Sequence, residues 1–132
     1  MILLDSNVVS ELLKPQPDSK VMAWLEGLDF LIPAPVLAEL QEGAETAPPS
    51  RRAEISLQID NVIAEFADAF VDWDYETARV WARLRHSPEV KRQPQALWDS
   101  LIDAMGVRYN ATIATRNVKD FRHSKTFNPW TD

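Results

Sequence analysis

Met1-Ile2-Leu3-Leu4-Asp5-Ser6-Asn7-Val8-Val9 is the stretch on which the fold turns. A short apolar run stops at an aspartate, and a hydroxyl residue, an asparagine and a second apolar run follow. Ile2–Leu4 predicts a buried central strand, and Ser6 or Asn7 can cap a helix running through Leu13. Asp5 then stands at the carboxyl end of a strand, where open α/β sheets keep their ligands. A carboxylate buried there is costly unless something compensates it, and a divalent cation is the common compensation. Capping of the helix by Asp5 itself explains the residue equally well, so both roles stand open at this point.

The 132 residues suffice for one domain with one core, 1–132, and 45% of them are hydrophobic, as expected of a globular chain. No apolar run approaches the ~20 residues of a membrane span, and the N-terminus lacks the basic flank of a signal peptide, so a cytoplasmic location away from membrane is the expectation. There is no cysteine, which excludes disulfides and thiolate metal sites and leaves oxygen as the metal-ligand chemistry. His86 and His123 have no zinc-like spacing. Charge is unevenly spread: residues 1–74 carry a net −10 and residues 75–132 a net +4. Basic residues gather at Arg83, Arg85, Lys91 and Arg92 and again at Arg116, Lys119, Arg122 and Lys125, on either side of the acid-bearing segment Trp98–Tyr109. Basic islands around an acidic centre suit a polyanion held over a metal site; an ordinary solvated surface is the bland alternative.

Strand and helix patterns alternate along the chain. Pro15 and Pro17 stop the first helix, and Asp18 caps a second over Lys20–Gly27. Phe30–Ile32 reads as a strand, Val36–Ala47 as a helix entered through Pro35, and Ser50–Ala67 as a long helix capped by Ser50, forming a hairpin with its predecessor and projecting from the sheet. Ala69–Trp73 is a strand, Asp74 caps a helix through Arg85, and Ser87–Gln95 is expected to be a loop. Trp98–Tyr109 is helical, Ala111–Thr115 a strand and Thr126–Asn128 an edge strand. This alternation predicts an α/β, three-layer domain with a mostly parallel central sheet flanked by helices.

Four acids fall at or just after strand carboxyl ends: Asp5, Glu39 in Ala38-Glu39-Leu40, Asp99 at the start of its helix, and Asp120 after Thr115-Arg116-Asn117. Leu97, Leu101, Ala104 and Met105 suggest one apolar stripe, with Asp99 and Asp103 four apart on the opposite face. Carboxylates from separate elements can hold Mg²⁺ or Mn²⁺, and such ions activate water against a phosphodiester. A solvated polar face explains the Asp99–Asp103 pair as well.

Taken in order, these motifs resemble the PIN-domain ribonucleases, in particular the toxin half of type II toxin–antitoxin pairs of the VapC and FitB kind. The resemblance rests on Met1–Glu11, Val36-Leu37-Ala38-Glu39-Leu40 with Gly43, Trp98–Ala104, Ala114–Phe121 and Phe127-Asn128-Pro129-Trp130. It implies a Mg²⁺- or Mn²⁺-dependent endoribonuclease, with Asp5, Glu39 and Asp99 matching the family's principal acids and metal ligands. Some members place an aspartate where this chain has Asn117 and others use the acid matching Asp120, so the resemblance adds Asp120 to the catalytic set in a supporting role through water, with Asn117 a polar residue beside it. Ser6, Asn7, Asn117 and Asp103 are supporting residues, and Arg85, Arg116 and Lys119 are candidates for the RNA backbone. Asp103 departs from the small apolar residue common there, and is expected to be an outer acid or exposed. The resemblance further implies a small antitoxin partner and a homodimer, with Trp24, Leu28 and the helix Arg51–Ala67 as candidate contacts. Rival readings are a PIN-like module that binds RNA or protein without cutting, and a receiver-like signalling domain. The second is disfavoured because Asp5-Ser6-Asn7 lacks the paired acid such a domain needs.

Overall fold

The computed structural model describes all 132 residues. The first half of the chain runs β1 (Ile2–Leu4), α1 (Ser6–Leu13), α2 (Ser19–Leu25), β2 (Ile32–Pro33), α3 (Ala34–Thr46) and α4 (Pro49–Glu65). The second half runs β3 (Phe70–Val71), α5 (Tyr75–Arg85), α6 (Pro88–Arg92), α7 (Leu97–Arg108), β4 (Thr112–Ala114) and β5 (Lys125–Phe127). Every strand pairing is parallel: β1 lies beside β4 and β4 beside β5, β2 lies beside β3, and a Leu3–Leu31 bridge joins the two ladders. The spatial order is therefore β3-β2-β1-β4-β5. Connections leave β1 in one direction and β4 in the other, so the switch point of the sheet lies between these two strands.

The pleat explains why the opening strand is apolar on successive residues. Leu4 joins Val8, Val9, Val21, Leu25, Ile32, Val36 and Val62 in the larger cluster, whereas Leu3 packs with Met105 and Ala111. A strand with helices on both faces must bury both pleat positions. Each such Leu, Ile or Val contributes about 1.5–3 kcal/mol relative to exposure. Helix α4 does pack against α3, as the hairpin expectation had it. Ile59 and Val62 are buried, however, so α4 seals the core as well as projecting.

Several boundaries differ from expectation for local reasons. Asp5 caps α1, accepting from Ser6 N, so neither Ser6 nor Asn7 is the cap. Pro48 occupies the cap position of α4 with no side-chain bond, displacing Ser50 into the helix. The strand expected over Ala69–Trp73 shortens to β3 because Ala67–Ala69 forms a 3-10 turn. The segment Ser87–Gln95 is not all loop: Ser87 caps Val90 and Pro88 sits in the first turn of α6, a position where its missing N–H and fixed φ are favourable. Helix α7 ends on Tyr109, with Asn110 at φ 49 and bonds Asn110 N to Val107 O and Ala111 N to Gly106 O. That is a Schellman closure, with asparagine tolerating the left-handed backbone.

The largest correction concerns Asp103. It does not share a solvated face with Asp99: Asp103 is fully buried, while Leu97, assigned to the apolar stripe, is 55% exposed. The Asp103 carboxylate accepts from Gln95 Nε2 (3.0 Å), Arg122 N (3.1 Å), His123 N (3.2 Å) and Ser124 Oγ (2.6 Å), with His123 Nδ1 at 3.1 Å. Its acceptor capacity is consumed in tying the chain after β4 and the loop before α7 onto α7 itself. Ser124 is pinned so firmly that a methyl group at Gly106 would collide with its side chain. Replacing Asp103 by alanine strands these buried donors. Chemical denaturation of Asp103→Ala is expected to show a loss of about 3–5 kcal/mol, whereas Asp99→Ala, on the same helix, is expected to show none.

Candidate active site

Asp5 leaves the sheet at the carboxyl end of β1, one residue beyond the Leu4–Ala114 pair, and Thr115 leaves β4 beside it. Parallel register thus sets a carboxylate and a hydroxyl side by side at the switch point. Thr115 Oγ1 donates to Asp5 Oδ2 at 2.8 Å, and Ser6 N donates to Asp5 Oδ1 at 2.8 Å. Asn7 extends this lattice: its Nδ2 lies 3.3 Å from both Asp5 Oδ2 and Thr115 Oγ1, and its Oδ1 accepts from Arg116 N at 3.2 Å. Thr115 Oγ1 also accepts from Asn117 N at 3.0 Å. The 3% exposed Asp5 is therefore held on both oxygens.

Three further acids face it. Glu39 projects from the second turn of α3, which β2 places next to β1. Asp99 lies in the first turn of α7, at the positive end of the helix dipole. Asp120 closes the 3-10 turn Val118–Asp120 that follows β4. Burial raises the Asp5 carboxyl above its ordinary range, against the Thr115 and Ser6 bonds that lower it, and Asp120 adds repulsion. Burial likewise raises Glu39, with the Ser6 side chain pulling the other way and Asp5 and Glu42 repelling. Asp99 is pushed up to about 6, first by desolvation and then by Asp5, Asp120, Glu39 and Asp103. Asp5, Glu39, Asp99 and Asp120 therefore share one region, and no cation is among the causes of any of these shifts.

The remaining candidates separate. Asp103 is spent inside the fold. Asn117 contributes a backbone N–H to Thr115, and its residue is exposed. Arg85 donates to Gln95 O at 3.3 Å and lies over the Trp81 ring, bracing the chain that precedes α7. Lys119 is exposed on the turn leading to Asp120. Arg116 lies over Trp130. Sequence reasoning left Thr115 out of the candidates, although it organises Asp5, Asn7 and Asn117. The available signal was a hydroxyl residue closing a strand that precedes the Asp120 turn.

The donor set suits a hard divalent ion such as Mg²⁺ or Mn²⁺, which takes oxygen ligands. One carboxylate oxygen, Glu39 Oε1, is buried without a hydrogen-bond partner, a state that costs several kcal/mol for a charged group unless a cation meets it. No three Asp, Glu or His side chains converge closely enough to chelate one ion by themselves. The fit is therefore one of donor chemistry and of the unpartnered Glu39 oxygen, and an ion held here would keep several waters, as Mg²⁺ does by preference. The most spacious groove, about 540 Å³ and lined by Leu12, Met22, Leu25, Glu26, Phe30 and Phe66, lies apart from the acids. Charge, and not depth, distinguishes this site.

The chain is similar to known proteins along nearly its whole length. The PIN domain matches residues 2–125. Toxin FitB of Neisseria gonorrhoeae is 32% identical over 100% of both chains, and VapC ribonuclease Y4jK of Sinorhizobium fredii is 29% identical over 98% of each. Among solved structures, the FitAcB crystal structure from Neisseria gonorrhoeae matches 100% of both chains with a TM-score of 0.84 at 31% identity. DNA-bound VapBC from Salmonella typhimurium matches 97% of each chain with a TM-score of 0.83 at 18% identity, a likeness of fold alone. A match spanning nearly all of the chain, on a parallel sheet whose switch point carries these acids, places this protein in the PIN-domain family.

Proposed function

We propose that this chain is a divalent-metal-dependent endoribonuclease, acting as the toxin of a toxin–antitoxin pair. The observation that carries the proposal is the group Asp5, Glu39, Asp99 and Asp120: desolvated, mutually repelling, and including a buried carboxylate oxygen with no partner. Its relatives, a named ribonuclease and a named toxin, support the same reading.

In this proposal Asp5, Glu39 and Asp99 are the residues that hold Mg²⁺ or Mn²⁺. When bound, such an ion supplies a water acidic enough to attack near neutral pH and neutralises charge on the scissile phosphate. Thr115 and Ser6 N fix the orientation of Asp5, which preorganises the site before substrate arrives. Asp120, whose carboxylate makes no hydrogen bond to the protein, would in the same proposal accept a proton from the attacking water. Asn7 and Asn117 keep the loop after β4 in register with α1 through Thr115. Exposed Arg116 and Lys119, on the chain between Thr115 and Asp120, are the proposed contacts for the RNA backbone.

A small antitoxin is the proposed partner, since the similar Toxin FitB is a named toxin and one solved structure of like fold is a toxin–antitoxin complex from Klebsiella pneumoniae. The acidic N-terminal half favours a basic peptide. The apolar groove at Leu12, Met22, Leu25, Phe30 and Phe66 offers that peptide a hydrophobic footing. Homodimerisation belongs to the same proposal, with exposed Leu57 and Ile63 on α4 as contacts. Trp24 stacks on Phe127 at 4.9 Å and packs on the core, so it serves the fold first.

The direct test is cleavage of a mixed RNA pool by the antitoxin-free protein in Mg²⁺ or Mn²⁺ against EDTA, beside Asp5→Asn and Asp99→Asn purified identically. Both substitutions, and EDTA, are expected to lower cleavage by at least about a hundredfold. Retained metal-dependent cleavage in both variants would sink the assignment. For Thr115→Val the expectation is a fall of about tenfold in kcat with KM little changed, because binding groups persist while Asp5 loses its donor. Thr115→Ser should restore most of the rate.

The metal-free protein also has a defined pH response. Folded Asp99 keeps its proton up to about 6, against an ordinary value of 3.8. Between these limits the unfolded chain has released a proton that the folded chain still holds, so stability falls as pH rises and levels off above the upper one. Thermal melts are expected to show that decline in wild type and a shallower one in Asp99→Asn, which should melt higher at pH 7 by a few degrees, on the order expected for relief of ~1 kcal/mol. Added Mg²⁺ should restore wild-type stability at pH 7 and have little effect on the variant.

A further inference from the structure

Arg116 follows Thr115 directly and so leaves β4 beside the acidic group. An arginine in that position would ordinarily neutralise a neighbouring carboxylate. Here it does not: Arg116 takes part in none of the ion pairs of the protein, which join Lys14 to Glu11, Arg108 to Asp74 and Glu76, and His123 to Glu89 and Asp103. Its guanidinium carbon instead lies 4.0 Å from the centroid of the Trp130 ring.

Trp130 is itself anchored. Trp130 N donates to Asn128 Oδ1 at 2.9 Å, Asn128 Nδ2 donates to Arg116 O at 3.4 Å, and Thr115 N donates to Phe127 O at 2.9 Å. The ring packs against the main core. The segment Phe127-Asn128-Pro129-Trp130 is thus laced to the loop that carries Thr115 and Arg116, and its indole is a fixed platform. Stacking on an aromatic face uses the flat side of a guanidinium and leaves its N–H edge free, which is the edge that matches a phosphate. Arg85 and Arg122, by contrast, spend N–H groups on the backbone carbonyls of Gln95 and Gln93.

We propose that Trp130 is a positioning residue: it holds Arg116 flat and unpaired at the rim of the acidic site, to receive a backbone phosphate of the RNA strand entering that site. This rests on the ribonuclease reading above. A strand approaching four carboxylates meets repulsion, and an arginine diverted from those carboxylates by an aromatic ring is the compensating charge.

The test uses steady-state cleavage of a fluorescent single-stranded RNA taken from among those the wild type cuts in Mg²⁺. Trp130→Ala is expected to raise KM about fivefold with kcat little changed, and Trp130→Phe to recover most of the loss. Arg116→Ala, at an exposed position, should raise KM at least as much and reduce the salt slope of log kcat/KM by about 0.7, the value for one phosphate contact on a single strand. Because Trp130 acts through Arg116, the double variant should be no worse than Arg116→Ala alone. If Trp130→Ala fails to fold, Arg116→Lys carries the same question, since it keeps charge but loses the planar stack, and KM should again rise. Unchanged KM in folded Trp130→Ala, multiplying effects in the double variant, or an Arg116→Ala enzyme indistinguishable from wild type overturns the inference while leaving the ribonuclease reading intact. A wild type that leaves every RNA uncut overturns both.

Discussion

Asp5 must be charged for the proposed chemistry, in a place where burial opposes charge. Two short-range donors oppose that burial without outweighing it: a threonine hydroxyl from the neighbouring strand and a backbone N–H from the helix it caps. Both donors depend on register. The Leu4–Ala114 pair sets Asp5 beside Thr115, and a one-residue slip would turn each side chain to the opposite face of the sheet. The opening strand is short, but its two buried leucines pack into different clusters, which fixes that register from both sides.

The other acids are brought to Asp5 by the ends of elements and not by their middles. Strand β2 delivers α3 and Glu39, α7 begins with Asp99 in its first turn, and the turn after β4 ends in Asp120. Such a cluster works against folding, since each carboxylate raises the free energy of ionising its neighbours. Destabilisation concentrated at one locus is the usual signature of a site arranged for a ligand. The ligand proposed here is a cation that keeps much of its water, which a loose carboxylate cluster with an orphaned oxygen accommodates better than a tight cage would.

Asp99 and Asp103 show how little helix periodicity says about a carboxylate's fate. They are four residues apart on α7 and chemically identical. Asp103 turns toward the chain after β4, where two backbone N–H groups, a serine, a glutamine and a histidine meet it. Asp99 turns toward other carboxylates and receives repulsion in place of donors. One anchors the fold and the other faces the site, and the loops opposite them decide which. Arg116 repeats the lesson among the cations: it forms no ion pair and lies over an aromatic ring supplied from the end of the chain.

The parallel α/β architecture, the order of its elements and the positions of Asp5, Glu39, Asp99 and Asp120 were legible in the sequence. Apolar runs ended by an acid, proline breaks and capping residues act over a few neighbouring positions, so local order carries them. The role of Thr115, the burial of Asp103, the short helix within Ser87–Gln95 and the stacking of Trp130 on Arg116 were not legible. Thr115 meets Asp5 across 110 positions of sequence and Asp103 meets His123 across 20. Whether a polar side chain is solvated, bonded or left unpartnered depends on what tertiary packing sets opposite it, and no local pattern encodes that.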